Sequence, residues 1–460
     1  MKCIEDEIPF DIPNGWSWCR FSSAFIINPR NQLSDDMSVS FVPMPLIQEG
    51  YVNKHTDEEK IWGSVKSGFT HFANNDVGVA KITPCFENKK SVVFKGLKNG
   101  YGAGTTELHI IRTIDNLIYP EYVLWNVKTD NFISNGIKAF SGAVGQKRIG
   151  KDFIEKSLIP IAPTNEQKRI LECISIAFEY IDSIEASKEA FKVDIQSVKS
   201  KILDLAIRGK LVPQNPDDEP ASILLERIRA EKEDLIKQGK IKRDKKESFI
   251  FKGEDNSYYR TNGKTTEFCD DIPFDLPEGW AWVSLGQYCE KVTDQVASGS
   301  FAALRENVVS LKKPSYALMV KTADFSNGFT KNLTYTDKHG YEFLENSNLF
   351  GGELILSNIG SIGKVFIVPD LNCKMTLAPN SVMIRLTNNE YRDYLYYFLQ
   401  SPTGYEELKA ISTGVAMLKF NKTDLKTIHL PLPPLAEQKR IVEAIETAFA
   451  QLDEILNSIS

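Results

Sequence analysis

Two short motifs each occur twice in this chain of 460 residues, and this duplication restricts the possible folds more than any other feature. The opening motif, Ile8–Trp18 (IPFDIPNGWSW), returns 264 residues later as Ile272–Trp282 (IPFDLPEGWAW), with eight of eleven positions identical. The closing motif, Pro160–Ile170 (PIAPTNEQKRI), returns 271 residues later as Pro431–Ile441 (PLPPLAEQKRI). Because motifs repeated in one order mark repeated structural units, two related units are predicted.

The interiors between these motifs hardly match in sequence. Residues 19–140 and 283–410 share only apolar stretches typical of strands, together with short predicted helices at Tyr119–Val127 and Tyr391–Leu399. We therefore expect an α+β protein in which one repeated frame holds two different β-rich domains. The second interior is longer by seven residues, because the two motifs recur at different distances.

A long amphipathic helix is predicted after each closing motif. In the first, apolar residues recur at alternating intervals of four and three from Glu166 to Arg208, with Lys188 as the one polar interruption. This heptad spacing predicts a coiled-coil helix about 64 Å long. Thr164 and Gln167 form a capping-box pattern at its start. The apolar positions, called the seam, are Ile170, Ile174, Ile181, Ile184, Phe191, Ile195, Val198, Ile202 and Leu205, and in the second helix Ile441, Ile445, Leu452 and Ile455.

A seam of this length needs a covering partner. We expect the two helices to form an antiparallel pair related by a pseudo-twofold axis, although packing of each helix on its own domain and pairing with helices of other chains stay open. The expected organisation is domain 1 at 1–157, spacer helix at 158–210, linker with a short helix from Pro220 to Gln238 at 211–270, domain 2 at 271–430 and C-terminal helix at 431–460.

Composition excludes several classes of protein. The net charge of −6 argues against a histone-like DNA binder, and seven scattered cysteines without a Cys-x-x-Cys pair argue against zinc or disulfide frameworks. The longest apolar runs are too short for a membrane span, and the acidic start lacks a signal-peptide core. We expect a cytoplasmic protein without cofactor or metal.

Catalytic motifs are weak. Gly100–Gly104 resembles a nucleotide-binding glycine turn but runs into a strand-like segment, so a β-turn is the preferred interpretation. Asp76 with Glu87–Lys89 resembles a metal-dependent nuclease pattern, but it is short and has no equivalent in the second unit. Gly360–Lys364 is too short for a phosphate-binding loop. No catalytic residue is predicted.

Polar loops of the two interiors are the candidates for contact with nucleic acid. Lysine and arginine can bind phosphates, while serine, threonine, asparagine and glutamine can bind base edges. For any single residue, a solvated loop side chain is an equally good interpretation. The candidates are Lys66, Ser67, Lys81, Thr83, Lys89, Lys90, Gln146, Lys147 and Arg148 in the first interior, and Ser357, Asn358, Ser361, Lys364, Lys374, Asn380 and Lys419 in the second.

Several segments resemble the specificity subunits of Type I restriction-modification systems, in that family's order and over essentially the whole chain. The resemblance covers both the target-recognition domains and the constant regions of the family. The segments that carry it are Ile272–Trp282, Lys81–Lys89, Gly104–His109, Gly209–Gln214, Asp218–Ser222 and Pro431–Ile441.

The resemblance implies a non-catalytic DNA-recognition subunit. Its two target-recognition domains would each recognise one half of an asymmetric, bipartite target in double-stranded DNA, and antiparallel helices would set the distance between the halves. Two adenine methyltransferase subunits and restriction/translocase subunits would be its partners. Two alternatives stay open: the specificity half of a Type II-like restriction system, and a coiled-coil scaffold or adaptor without a DNA role.

Overall fold

The computed structural model describes residues 4–114, 117–143, 146–243, 249–261, 264–270, 272–360, 362–414 and 417–459. They form two compact units, Met1–Ala186 and Ser187–Ser460. Within the described ranges, no helix combines the length and apolar character needed to cross a membrane.

The described residues of the first unit form ten strands, and five short helices precede a long one. The helices are α1 (Phe21–Ala24), α2 (Trp62–Val65), α3 (Pro120–Val127), α4 (Asp130–Lys138), α5 (Lys151–Lys156) and α6 (Thr164–Ile207), of which α6 continues into the second unit. The strands are β1 (Ser17–Arg20), β2 (Phe25–Ile27), β3 (Ser38–Val42), β4 (Glu58–Ile61), β5 (Thr70–Ala73), β6 (Val77–Ala80), β7 (Ser91–Val93), β8 (Tyr101–Gly104), β9 (Leu108–Thr113) and β10 (Leu158–Ile161).

The second unit contains thirteen strands and nine helices among its described residues. The strands are β11 (Phe249–Lys252), β12 (Tyr258–Thr261), β13 (Thr266–Phe268), β14 (Ala281–Ser284), β15 (Lys291–Asp294), β16 (Ala317–Val320), β17 (Tyr335–Thr336), β18 (Asn348–Leu349), β19 (Leu354–Ser357), β20 (Val365–Ile367), β21 (Met375–Leu377), β22 (Ser381–Arg385) and β23 (His429–Leu432). The helices are α7 (Ala221–Lys237), α8 (Leu285–Tyr288), α9 (Phe301–Asn307), α10 (Thr322–Ser326), α11 (Lys338–Phe343), α12 (Arg392–Gln400), α13 (Pro402–Ala410), α14 (Lys422–Leu425) and α15 (Leu435–Ser458).

The two interiors have the same strand order despite their different sequences. Unit 1 pairs β1 with β10 and forms the sheets β2-β9-β6-β7 and β4-β3-β8-β5. Unit 2 pairs β14 with β23 and forms β15-β22-β19-β20 and β17-β16-β21-β18. Each unit also contains one parallel pair, β3 with β8 and β16 with β21. The predicted pair of β-rich domains is therefore confirmed. The two domains share one strand order although their sequences hardly match.

The opening and closing motifs pair with each other as antiparallel strands. Trp18 lies opposite Pro160 in unit 1, and Trp282 lies opposite Pro431 in unit 2. Proline lacks an N–H donor and is tolerated in a two-stranded pair, where no further strand needs that donor. The repeated motifs thus close the two ends of each interior in the same register.

A tyrosine in each interior binds the closing strand. The Tyr122 hydroxyl donates to the Pro160 carbonyl at 2.7 Å, and the Tyr394 hydroxyl donates to the Pro431 carbonyl at 2.7 Å. Both bonds are buried, where an unsatisfied hydroxyl or carbonyl would cost about 1–3 kcal/mol. These tyrosines come from α3 and α12, so each interior is attached to its frame at the same point.

The hydrogen bonds of Gln167 at the start of α6 differ from those of the predicted capping box, and Gln438 in α15 forms similar bonds. Instead of bonding to Thr164, the Gln167 side chain donates to the Ala162 carbonyl at 2.8 Å and accepts from the Tyr119 amide at 3.0 Å. In unit 2, Gln438 donates to the Pro433 carbonyl at 2.9 Å and accepts from a buried tyrosine hydroxyl. The repeated Glu-Gln pair therefore ties the helix to its own domain.

The segment Tyr101–Gly104 is a strand, which corrects the β-turn prediction. Strand β8 lies in the middle of its sheet, parallel to β3 and antiparallel to β5. A Cβ at Gly102 would lie 2.3 Å from the Phe72 ring, and one at Gly104 would lie 2.2 Å from the Val42 carbonyl oxygen. The glycines are thus explained by close packing of neighbouring strands rather than by a turn or a ligand.

The central region is more ordered than the predicted linker. Helix α7 matches the predicted helix, and its residues Leu224 and Ile228 are fully buried in the core of unit 2. Later in the segment 211–270, expected to be a linker, strands β11, β12 and β13 form a sheet. The aromatic and β-branched residues clustered at Phe249–Phe251 and Tyr258–Thr261 were the overlooked strand signal.

Helix α6 exists as predicted, but its seam is covered unevenly. Within unit 2, Leu203 and Ile207 share a core with Ile441 and Ile445 of α15. Lys199 donates to Asp453 of α15 at 2.6 Å. Moving backwards along α6 thus corresponds to moving forwards along α15, so this contact is antiparallel.

The exposure of the seam positions varies along α6. Ile170 packs on the core of unit 1 and Ile195 is 3% exposed. The middle of the seam, with Ile184 at 66%, is open to solvent, which departs from the expectation of a continuously covered stripe. The exposed seam positions are Ile181, Ile184, Phe191, Val198 and Ile455, and the partly covered ones are Ile174, Ile202, Leu205 and Leu452.

This division predicts different effects of the same substitution at two seam positions. Ile195→Asp places a carboxylate at a buried position and should lower the free energy of unfolding by about 3 kcal/mol or more. Ile184→Asp, at an exposed position, should change it by less than about 0.5 kcal/mol. Urea denaturation followed by circular dichroism measures both. Equal destabilisation by the two variants would contradict the uneven covering.

Candidate nucleic-acid interface

The first unit brings five of the predicted residues together in one loop cluster. The segment Lys81–Thr83 follows β6, and Gln146–Arg148 precedes α5. The two segments pair as isolated bridges, Ile82 with Arg148, and the Thr83 amide donates to the Lys147 carbonyl at 3.0 Å. Gln146 and Lys147 are exposed there. Distance in sequence concealed this contact, because the two segments are more than 60 residues apart.

An ion pair between Arg148 and Glu107 holds this loop cluster in place. Arg148 donates through Nε and Nη2 to the two oxygens of Glu107, each at 2.9 Å. The Arg148 guanidinium holds the pKa of Glu107 below its ordinary value. A bidentate pair of this kind orients the arginine strongly. Arg148 is therefore a supporting residue of the loop, and Glu107 is its structural partner, which was not predicted from the sequence.

The other predicted residues of unit 1 lie apart from this cluster. Lys89 contacts Tyr51 and donates to Asp130 at 2.5 Å, and Lys90 beside it is partly covered. Lys66 forms an ion pair with Asp35 at 2.6 Å at the end of α2, and the neighbouring Ser67 is exposed. The candidate residues of the first interior therefore lie at three separate places.

A buried lysine supports the loop that contains Lys89. Lys128 has no exposed surface, and its ammonium group donates to the carbonyls of Gly50 and Lys89 at 2.6 Å each. Burial, with a smaller contribution from the charge of Lys89, lowers the pKa of Lys128 to about 8. No motif in the sequence indicated this lysine, since it follows the apolar end of α3.

The second unit forms an equivalent loop cluster. Asn358 comes directly after β19, and the Phe420 amide donates to the Asn358 carbonyl at 3.2 Å. The Asn358 amide donates to the Asn380 carbonyl at 3.4 Å. Lys419 forms bridges with Ile359 and with Thr413, as Arg148 does with Ile82 and Ser141. The two clusters therefore occupy the same place in the shared topology.

A cleft of about 440 Å³ opens beside this second cluster, lined by Asn358, Asn380 and helix α9. Phe301 at the start of α9 is 72% exposed in the cleft wall. A single phenylalanine carries no sequence pattern, so Phe301 was not predicted. An exposed aromatic ring beside amide side chains is a surface suited to stacking and hydrogen bonding.

The remaining predicted residues of unit 2 lie at several places. Ser357 ends β19, and its hydroxyl donates to the Ile359 carbonyl at 3.0 Å. Lys364 is exposed after this loop, whereas Lys374 lies against two tyrosine rings, 5.7 and 5.4 Å from their centroids. Ser361 lies outside the described residues.

The nuclease-like residues do not converge. Asp76 is buried and accepts from Arg112 at 2.7 Å through both oxygens. Glu87 accepts from the Thr83 hydroxyl, and Lys89 is occupied by Asp130. Across the described ranges, no group of three or more histidine, cysteine or acidic side chains is placed to hold a metal ion. These carboxylates therefore serve structural contacts.

Comparison with known proteins identifies the family. Residues 277–460 match the family model described as the Type I restriction modification DNA specificity domain. The EcoEI specificity subunit of Escherichia coli is 31% identical over 99% of this chain and 81% of its own length. The EcoAI specificity subunit of the same species is 32% identical over 96% of this chain and 79% of its own. The chain belongs to the specificity subunits of Type I restriction enzymes.

Solved structures agree with this family at the level of the fold. An HsdS subunit from Thermoanaerobacter tengcongensis has a TM-score of 0.52 at 16% identity, covering 98% of this specificity subunit and 92% of its own chain. A chain from a structure concerning complex assembly of the type I R-M system has a TM-score of 0.54 at 16% identity, with coverages of 98% and 94%.

Lys128 gives this specificity subunit a testable pH dependence. Its pKa is lower in the folded state than in the unfolded chain, so between about pH 8 and pH 10.5 the unfolded state binds more protons. Deprotonation of Lys128 should therefore raise the free energy of unfolding as pH rises through this window. Lys128→Met should lack this contribution. Thermal unfolding of both proteins from pH 7.5 to pH 10 measures the difference, and parallel pH profiles would contradict the assignment.

Proposed function

We propose that this specificity subunit determines the DNA sequence recognised by a Type I restriction-modification complex, with each unit recognising one half of a bipartite target. The observation that carries the proposal is the pair of equivalent loop clusters on one repeated topology. Since the interiors differ in sequence, the same place in each unit presents different side chains. Unlike half-sites, and hence an asymmetric target, follow from this difference.

The side chains of the clusters suit the two kinds of contact that DNA recognition needs. Lys147 and Lys419 are exposed cations that can bind phosphates. Gln146 and Asn380 are exposed amides, and amides can form paired hydrogen bonds to adenine. The net charge of −6 favours a subunit that shares its DNA affinity with partner proteins.

We assign the spacing of the half-sites to the long helices. Helix α6 has 44 residues, which corresponds to about 66 Å. It is tied to the core of unit 1 through Gln167 and to the core of unit 2 through Ile207. A continuous helix attached at both ends is a stiff connection, so its length would set how far apart the half-sites lie.

Catalysis is assigned to partner subunits. Two adenine methyltransferase subunits would modify the target, and restriction/translocase subunits would cut unmodified DNA. The structural use of Asp76 and Glu87 supports this division, because both acidic residues are already bound within unit 1. A role on chromosomal and invading DNA favours the cytoplasm as the location.

Exchange of one interior tests the proposal directly. Residues 19–150 would be replaced by the interior of another specificity subunit and expressed with the methyltransferase subunit. Genome-wide mapping of methylated adenine should then show one changed half-site and one unchanged half-site. A change in both halves would contradict independent recognition. Methylation that persists without this chain would favour a scaffold.

Single lysines test the loop clusters. Lys147→Ala and Lys419→Ala should each weaken DNA binding by the complex, and each should lower the slope of log affinity against log salt by about 1. Lys156→Ala and Lys409→Ala are controls, since both lysines are exposed on helices outside the loop segments and pair with nearby acids. Filter binding at several salt concentrations gives the slopes, and equal slopes in all four variants would refute the assignment.

A further inference from the structure

One segment of the central region, Gly209–Pro220, which we call the strap, binds the frame of unit 2. It starts where α6 ends and leads into α7. The Ala221 amide that follows it donates to the Gly279 carbonyl of the opening motif at 2.8 Å. A Cβ at Gly209, where φ is +65°, would lie 2.5 Å from Pro277, so the strap begins in close contact with the same motif.

Two side chains of the strap bind the closing motif. The Gln214 amide donates to Oε1 of Glu437 at 2.8 Å, and the Trp280 ring nitrogen donates to Oε2 of the same carboxylate at 3.0 Å. Asp218 accepts from Arg440 at 2.7 Å. Glu437 is 1% exposed, and burial raises its pKa while the bonds from Trp280 and Gln214 oppose that rise.

The repeated motifs place the same three residue types in unit 1. Trp16, Glu166 and Arg169 correspond to Trp280, Glu437 and Arg440 at the repeat distances of 264 and 271 residues. The local backbone is also the same, since the Trp16 amide donates to the Pro13 carbonyl as the Trp280 amide does to Pro277.

The contacts around these residues differ between the units. The ring nitrogen of Trp16 is buried and has no hydrogen-bond partner in the part of the chain that is described. Glu166 is partly exposed and Arg169 is exposed. A buried N–H without an acceptor is destabilising, so unit 1 would gain stability from a ligand that orients Glu166 towards it.

We propose that the Trp16–Glu166–Arg169 surface of unit 1 binds a segment of a partner protein that has the chemistry of the strap. That chemistry is an amide side chain followed four residues later by a carboxylate, on a proline-containing chain that turns between the two groups, as the bond from the Asp218 amide to the Asn215 carbonyl shows in the strap. The amide would donate a hydrogen bond to one oxygen of Glu166. The other oxygen would then accept a hydrogen bond from the Trp16 ring N–H. The carboxylate would pair with Arg169.

Charge and shape support this occupant over others. A phosphate of the DNA backbone, or an acidic protein surface alone, could pair with Arg169 but would repel Glu166. A segment with an amide and a carboxylate offers a hydrogen-bond donor to Glu166 and an anion to Arg169. The same pair of groups is bound by the same residue types in unit 2, with main-chain contact to Gly279. The proposal concerns a protein contact and stands independently of which DNA sequence is recognised.

A labelled peptide tests the proposal on the full chain. Residues 208–222 (RGKLVPQNPDDEPAS), made with a fluorescent label, serve as the probe, and binding is followed by fluorescence anisotropy. We expect saturable binding that Arg169→Ala weakens by at least about tenfold, as expected for loss of a charged hydrogen bond. The same peptide carrying Gln214→Ala and Asp218→Ala should bind equally weakly.

Two control variants make the result specific to unit 1. Lys168→Ala, a change of an exposed neighbour on the same helix, should leave binding unchanged. If Arg440→Ala weakens binding and Arg169→Ala does not, the peptide exchanges with the strap on unit 2 and the proposal is wrong. Absence of saturable binding also overturns it.

Sedimentation of the free chain tests the choice of occupant. A single monomeric species, unchanged by Arg169→Ala, supports a segment from another protein. A dimer that Arg169→Ala converts to monomer would mean that a second copy of this chain supplies the strap, which would overturn the assignment to a partner protein.

Discussion

The antiparallel pairing of the opening and closing motifs is the constraint on which both units depend. Trp18 opposite Pro160 and Trp282 opposite Pro431 bring the two ends of each interior side by side. The tyrosine bonds from α3 and α12 then attach the interior to the closing strand. Because the helix follows immediately after that strand, its position is coupled to the closure and not to the sequence of the interior.

The sequence predicted the fold well where the signal was periodic or repeated. The duplicated motifs gave the two units, and the heptad spacing gave α6 almost to the residue. The sheet β11-β12-β13 was missed because its strands are short and polar on one side. The strand β8 was missed because its glycines resemble a turn, while the reason for them, contact with Phe72 and Val42, lies elsewhere in the chain.

The candidate site was predictable only in part. Residue type and loop position pointed to Lys81, Thr83 and Gln146 before any contact was known. Pairing of the segment Lys81–Thr83 with Gln146–Arg148 depends on non-local strand order, which no local pattern contains. The roles of Glu107 and Lys128 depend on burial and on one specific partner each, so composition could not indicate them.

The closure of each interior by two four-residue strands has an evolutionary consequence. A replacement domain needs to match only those strands and one tyrosine to be accepted by the frame, and the seven-residue difference between the present interiors shows that length is not fixed. Genetic exchange between the two motifs can therefore alter one interior in a single step, while the opening motif, the closing motif and the helix that follows stay unchanged.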